Sequence, residues 1–145
     1  KLTEKELMEK IKPFVPTDWL EDETYFKKVL ELDKERIKRL DDARYIMEIF
    51  FETPGVEKEL LTKKDDLDTI KQWLNSVTEI INKTDMTHDA IENALRKLAD
   101  ELDVQSGRLF YALRVGLTGR TEAPGLFDIF VTLGKEESLK RLKSI

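Results

Sequence analysis

Apolar residues recur along this chain at intervals of three and four, and nowhere do they alternate with polar ones long enough to mark a half-buried strand. The spacing predicts a helix over residues 2–12, with Leu7, Met8 and Ile11 on one face and Thr3 and Glu6 at capping-box separation. Pro13 stops it, and Phe14-Val15-Pro16 forms an apolar connection. Tyr25, Phe26, Val29 and Leu30 mark a helix over 22–32, after which Asp33 jogs the chain into a further helical run through Ile37 and Leu40. Ile46, Met47 and Phe50 carry the pattern over 43–51. Thr53-Pro54-Gly55 is the clearest breaker and sets a boundary within 53–62, dividing the chain into subdomains 1–60 and 61–145.

Beyond the boundary, Thr62 with Asp65 reads as an N-cap opening a long helix through Leu67, Ile70, Leu74, Val77 and Ile81. Thr87 caps the next, whose stripe of Ile91, Ala94, Leu95, Leu98 and Leu102 is the best amphipathic pattern in the chain. Leu109, Ala112, Leu113 and Leu117 form another stripe, and Leu126, Ile129, Phe130 and Leu133 the one after it. Gly134 closes that helix, and Leu139 and Leu142 face a short terminal one. The predicted fold is all-α, two consecutive helical bundles.

Composition narrows the function classes. A hydrophobic content of 40% supports a core despite 38% charged residues. With no cysteine, disulfides, thiolate metal sites and cysteine nucleophiles are excluded. No apolar run reaches membrane-spanning length, the N-terminal KLTEKELMEK is charged and not signal-like, and the chain starts without methionine on what reads as the middle of a longer polypeptide.

The net charge of −5 argues against nucleic acid until it is divided along the chain. Residues 1–60 and 61–103 each carry a net −4, whereas 104–145 hold seven Lys and Arg against four Asp and Glu. Fields decay over a Debye length of ~10 Å, so an acidic body with a basic end can still dock a phosphate backbone there.

That basic end is also where glycine and proline concentrate. Gly116, Gly119, Pro124 and Gly125 lie within ten residues between two amphipathic segments, edged by Arg114 and Arg120. On physical grounds this is a binding corner of close backbone approach. The strings Ala112-Leu113-Arg114-Val115-Gly116-Leu117-Thr118-Gly119, Glu122-Ala123-Pro124-Gly125-Leu126-Phe127 and Leu133-Gly134-Lys135-Glu136 resemble the C-terminal anticodon-binding region of bacterial-type glutamyl-tRNA synthetases. The strong match covers about a quarter of the chain.

The resemblance implies an all-α anticodon-binding region of the α-helix-cage type. It implies that the longer protein is a class I glutamate–tRNA ligase of the cytoplasm, using ATP and Mg²⁺ to attach glutamate to tRNA. This portion would supply recognition of the YUC anticodon of glutamate tRNA and no chemistry of its own. It would be monomeric, with no membrane, DNA, metal or cofactor among its partners. Arg114 occupies the place of a family arginine that contacts the anticodon, and Ala123, Pro124, Gly125 and Leu126 occupy places whose backbone reads the middle and third bases. Family members often carry threonine where Ala123 stands, so a side-chain hydrogen bond there is lost. Arg36, in the segment Leu32-Asp33-Lys34-Glu35-Arg36, matches an arginine that reads the first base and accompanies discrimination against glutamine tRNA.

Further candidates are weighed on residue chemistry. Arg39, Arg44, Arg108, Arg120 and Lys135 are phosphate contacts or solvated charges. Leu126 can pack against a base, while Phe127 belongs in the core. Trp19, Trp73, Tyr45 and Tyr111 sit on helical stripes and read as core or subdomain interface. The single histidine, His88, follows a helix cap and offers no triad or metal cluster, so it reads as a solvated first-turn residue. The pairs Asp41-Asp42, Asp65-Asp66 and Glu136-Glu137 point ~100° apart on a helix and form no acid–base pair. No Gly-rich phosphate loop is present, nor a His-x-Gly-His-like or Lys-Met-Ser-Lys-Ser-like motif. The rival readings are a non-discriminating glutamyl/glutaminyl or class I lysyl synthetase region, and a helical protein-interaction module.

Overall fold

The computed structural model describes residues 2–145; its regular elements are helices, with no strand among the described residues. The chain forms two compact units, Lys1–Thr53 and Pro54–Ile145.

The first unit holds α1 (Glu4–Ile11), α2 (Glu23–Asp33) and α3 (Ala43–Phe51). Thr3 and Glu6 form the expected capping box at the start of α1, and Asp22 caps α2 by accepting from the Tyr25 N–H at 3.0 Å. Phe51 anchors an aromatic cluster, stacked on Trp19 at 4.6 Å and met edge-on by Tyr25 at 5.3 Å. The polar tips are satisfied: the Tyr25 hydroxyl donates to Phe50 O at 2.7 Å and Trp19 Nε1 to Glu52 Oε2 at 3.1 Å. The expected helical run through Ile37 and Leu40 is instead two 3-10 turns, Lys34–Arg36 and Leu40–Asp42, separated by extended backbone at Arg39. Neither Ile37 nor Leu40 is fully buried, and a short helix without a buried apolar face does not hold in water.

The second unit contains α4 (Lys58–Leu61), α5 (Leu67–Asn82), α6 (His88–Glu101), α7 (Ser106–Thr118), α8 (Leu126–Leu133) and α9 (Lys135–Lys143). α5 packs on α6 and α9, α6 on α7 and α8, and α7 on both α8 and α9. Their apolar stripes are those of the periodicity, with Ile70, Val77, Ile81, Ile91, Leu95, Leu109, Leu113, Ile129 and Phe130 fully or almost fully buried. Each such side chain contributes roughly 1.5–3 kcal/mol of transfer free energy.

Two boundaries differ from expectation. Residues 54–60 belong to the second unit, so the division falls after Thr53 and not after residue 60. α4 packs on α7, and the Tyr111 hydroxyl donates to Leu60 O at 2.8 Å. The cap of α5 is Asp66, which accepts from the Thr69 N–H at 2.8 Å, in place of the expected Thr62 and Asp65. Thr62 turns its hydroxyl back to Lys58 O at 2.7 Å and ends α4, a one-turn helix too short for periodicity to show.

Gly134 (φ +85) joins α8 to α9, its N–H donating to Phe130 O and its carbonyl accepting from the Ser138 N–H. On α9, Arg141 is only 5% exposed. Its Nε donates to Glu137 Oε2 at 2.8 Å and its Nη1 to Leu117 O at 2.9 Å, setting a cation at the C-terminal end of α7.

Candidate nucleic-acid interface

The predicted corner at Gly116 and Gly119 is a corner at Gly119 alone. α7 runs through Gly116 to Thr118, and Gly116 is buried where a Cβ would stand 3.4 Å from Leu142 Cδ2. The chain breaks at Gly119, which adopts φ +71 and donates to Val115 O at 2.7 Å. A Cβ there would come 2.7 Å from Gly55 O. Buried Thr118 completes the stop, its Oγ1 lying 2.7 Å from Arg114 O and accepting from the Arg120 N–H at 3.1 Å.

From this corner the chain passes through 120–123 to Pro124 and Gly125, which caps α8. Arg114, half-buried on α7, reaches across the loop. Its Nη1 donates to Pro124 O at 2.7 Å and Ala123 O at 3.2 Å. The guanidinium therefore ties α7 to the turn that starts α8. A direct reach to a base was expected of Arg114; the structure engages it with main chain, because two carbonyls of the Pro-Gly turn converge within its range. Gly125 keeps a negative φ of −54 and accepts from the Ile129 N–H, so the turn does not use glycine's left-handed freedom. The first-turn N–H groups of an α-helix lack intrahelical acceptors, so the start of α8 presents donors beside this brace.

Leu126 lies where its stripe predicts, against the expectation that it packs on a base, and Phe127, expected in the core, does not. Leu126 is 4% exposed and lies in the core, which removes its side chain from contact with a base, whereas Phe127 is half-buried at the surface. The reason is the helical phase: Leu126, Ile129, Phe130 and Leu133 form the inward stripe of α8, and Phe127 falls beside it.

Phe127 belongs to a cluster that sequence reasoning missed. His88 and Phe110 each meet its ring edge-on at 5.4 Å. The Arg96 guanidinium carbon lies 5.4 Å from the Phe110 centroid and 5.9 Å from that of Phe127. Arg96 Nε donates to Glu92 Oε2 at 2.8 Å, one turn back on α6. Phe110 stands four residues before Arg114 on α7, so aromatic pair and braced turn adjoin. The four-residue spacing of Glu92 and Arg96 is the cluster's local signal; their meeting with Phe110 and Phe127 is tertiary. His88, Asp89 and Glu92 lie near the start of α6 with ligand atoms within 4.8 Å of one another. The Asp89 carboxylate stands 3.2 Å from His88 Nδ1 and Glu92 is bound by Arg96, ordinary pairings of an exposed helix start.

The remaining candidates fall in both units. In the second, Arg108 is held by Asp65 through Nε and Nη2 and lies 6.0 Å from the Trp73 ring centroid. Lys135 donates to Asn82 O at 3.0 Å, and the Arg120 N–H is bonded to Thr118. In the first, Arg36 is 3.5 Å from buried Asp33, Arg39 forms a two-point pair with Asp41 at 3.0 Å, and Arg44 is 3.9 Å from Glu48. The Arg39 guanidinium holds the Asp41 carboxyl below the usual aspartate range. Tyr45, assigned to core or interface, is 64% exposed, while Trp19 and Trp73 are buried.

A model of the anticodon binding domain family matches residues 6–145. The glutamate–tRNA ligase of Roseiflexus castenholzii is 35% identical over 154 residues, covering 99% of this chain and 30% of that protein. Glutamate–tRNA ligase 2 of Thermoanaerobacter pseudethanolicus is 37% identical over 140 residues, covering 92% of this chain and 28% of that protein. A solved glutamate tRNA ligase from Elizabethkingia meningosepticum, in complex with its amino acid, has a TM-score of 0.85 at 22% identity, over 99% of this chain and 29% of that one. That likeness shows the all-helical fold. The chain spans about 30% of the length of the curated relatives it matches.

Proposed function

This chain belongs to the anticodon binding domain family, and from that premise we propose that it reads the anticodon loop of glutamate tRNA for a longer glutamate–tRNA ligase. The single observation that carries the site is the bond from Arg114 to the carbonyls of Ala123 and Pro124. Unpaired bases are read by stacking and by hydrogen bonds to their edges, and main-chain groups read only as well as they are fixed in place. Arg114 fixes the turn, so that the backbone of Ala123, Pro124, Gly125 and Leu126 meets the middle and third bases in one geometry.

Arg36 is assigned to the first base, and Arg39, Arg44, Arg108, Arg120 and Lys135 to phosphates, which their existing partners release or share on binding. ATP and Mg²⁺ belong on this reading to the catalytic part of the longer, monomeric, cytoplasmic enzyme, and no residue of this chain is assigned to them. The isolated chain is expected to bind RNA and not to aminoacylate it.

Titration of the chain with anticodon stem-loops carrying YUC, UUG and UUU tests this. YUC should bind most tightly, and affinity should fall steeply as salt rises, as counterions released from phosphates require. Equal affinity for the three contradicts the assignment to glutamate tRNA. Salt-insensitive binding points instead to a helical protein-interaction module.

A further inference from the structure

We propose that Arg96 contacts RNA: its guanidinium, clamped over Phe110 and Phe127 beside the Ala123–Leu126 turn, takes a backbone phosphate of the bound loop. This rests on the anticodon-loop reading and adds a residue on α6 that neither the motif strings nor the charge count singled out.

Arg96 is oriented before any RNA arrives. Glu92 holds Nε at 2.8 Å, and the guanidinium carbon lies 5.4 Å from the Phe110 centroid and 5.9 Å from that of Phe127. A long side chain fixed in this way loses little further rotamer freedom on binding. Its Nη1 and Nη2 make no hydrogen bond to any described residue, and the side chain is 53% exposed. The edge turned away from Glu92 is thus a planar two-donor fork, which matches a pair of phosphate oxygens.

Position completes the case. Phe127 is the second residue of α8, two beyond Gly125, and Phe110 lies one helical turn before Arg114. The guanidinium therefore lies one aromatic ring from the start of α8. Arg108, by contrast, engages both Nε and Nη2 with Asp65, and Arg141 is buried with Nη1 on Leu117 O. Stability alone gives Arg96 little reason to be so placed, because exposed i,i+4 ion pairs contribute little to a fold.

The test is the affinity of the 145-residue chain for a YUC anticodon stem-loop as a function of salt, for the wild type, Arg96→Gln, Arg96→Lys and Glu92→Gln. Arg96→Gln should weaken binding about tenfold, the worth of a hydrogen bond to a charged group. It should flatten the logarithmic salt slope by about 0.7, the loss of one single-strand phosphate contact. Arg96→Lys should keep the slope and recover part of the affinity, and Glu92→Gln should bind more tightly than the wild type. Preference for YUC over an altered anticodon should persist in all four. Unchanged affinity and slope in Arg96→Gln overturns the assignment while leaving the anticodon reading intact, as does a lost base preference with an unchanged slope. A wild type that does not bind the stem-loop overturns both. If Arg96→Gln fails to fold, Arg96→Lys and Glu92→Gln still decide, and a lack of change in both counts against the contact.

Discussion

Arg114 Nη1 stands 2.7 Å from the carbonyl oxygen of Pro124, ten residues along the chain, and 3.2 Å from that of Ala123. One side chain on α7 thereby sets the approach to α8. Replacing it with alanine should weaken binding of a YUC stem-loop about tenfold, the worth of the charged hydrogen bonds that fix the turn. Hydrogen exchange at Ile129, whose N–H donates to Gly125 O at 3.0 Å, should quicken in the free variant as the turn loosens. Affinity titration together with amide exchange checks both effects, and a change in the first without the second would assign Arg114 to RNA alone.

Gly119→Ala should destabilise the second unit. The new Cβ meets the carbonyl of Gly55 at 2.7 Å and sits on a backbone with φ +71. The left-handed conformation alone costs an L-residue roughly 1–2 kcal/mol. Gly125→Ala, where φ is negative and the nearest atom lies 3.5 Å away, should be far milder. Denaturant midpoints of the two variants give the comparison.

Arg141→Met should cost about 1.5–3 kcal/mol, the worth of a hydrogen bond to a charged group. It leaves the carbonyl of Leu117 without its 2.9 Å partner in the interior and removes the pair with Glu137. Glu137→Gln, which retains an acceptor for Nε, should cost less. Equilibrium unfolding in urea checks the order.

Asp66 accepts from the Thr69 N–H, and this bond holds its carboxyl below the ordinary aspartate value. A carboxyl depressed in the folded state adds stability at pH values above its unfolded pKa, and that contribution is lost as pH falls through the folded one. Below about pH 4 the wild type should therefore lose stability more steeply than Asp66→Asn, whose side chain caps a helix without titrating. Unfolding free energies measured from pH 6 to about pH 2.5 decide the matter.

Much of the fold was legible because the long helices carry uninterrupted stripes: Ile91, Leu95 and Leu98 on α6, and Ile129, Phe130 and Leu133 on α8, are inside as their spacing requires. What escaped was short or shared. α4 is a single turn, too brief for a period, and its residues could be placed with the second unit only through contacts such as Tyr111 to Leu60. At the site, the glycine-proline cluster marked the right segment, but only Gly119 needs its freedom, and Gly116 serves packing against Leu142. The inward phase of α8 decided between Leu126 and Phe127. The Arg96 cluster joins residues from three helices, so no local pattern could reveal it as a whole.

Whether the turn before α8 meets the anticodon is decided by amide chemical-shift mapping of the ¹⁵N-labelled chain on titration with a YUC anticodon stem-loop. Within the second unit the largest changes should fall between Gly119 and Phe127, with further changes at the amides of Arg96 and Arg114. Changes confined to the exposed faces of α5 and α9, with the Ala123–Leu126 turn unmoved, would contradict that contact.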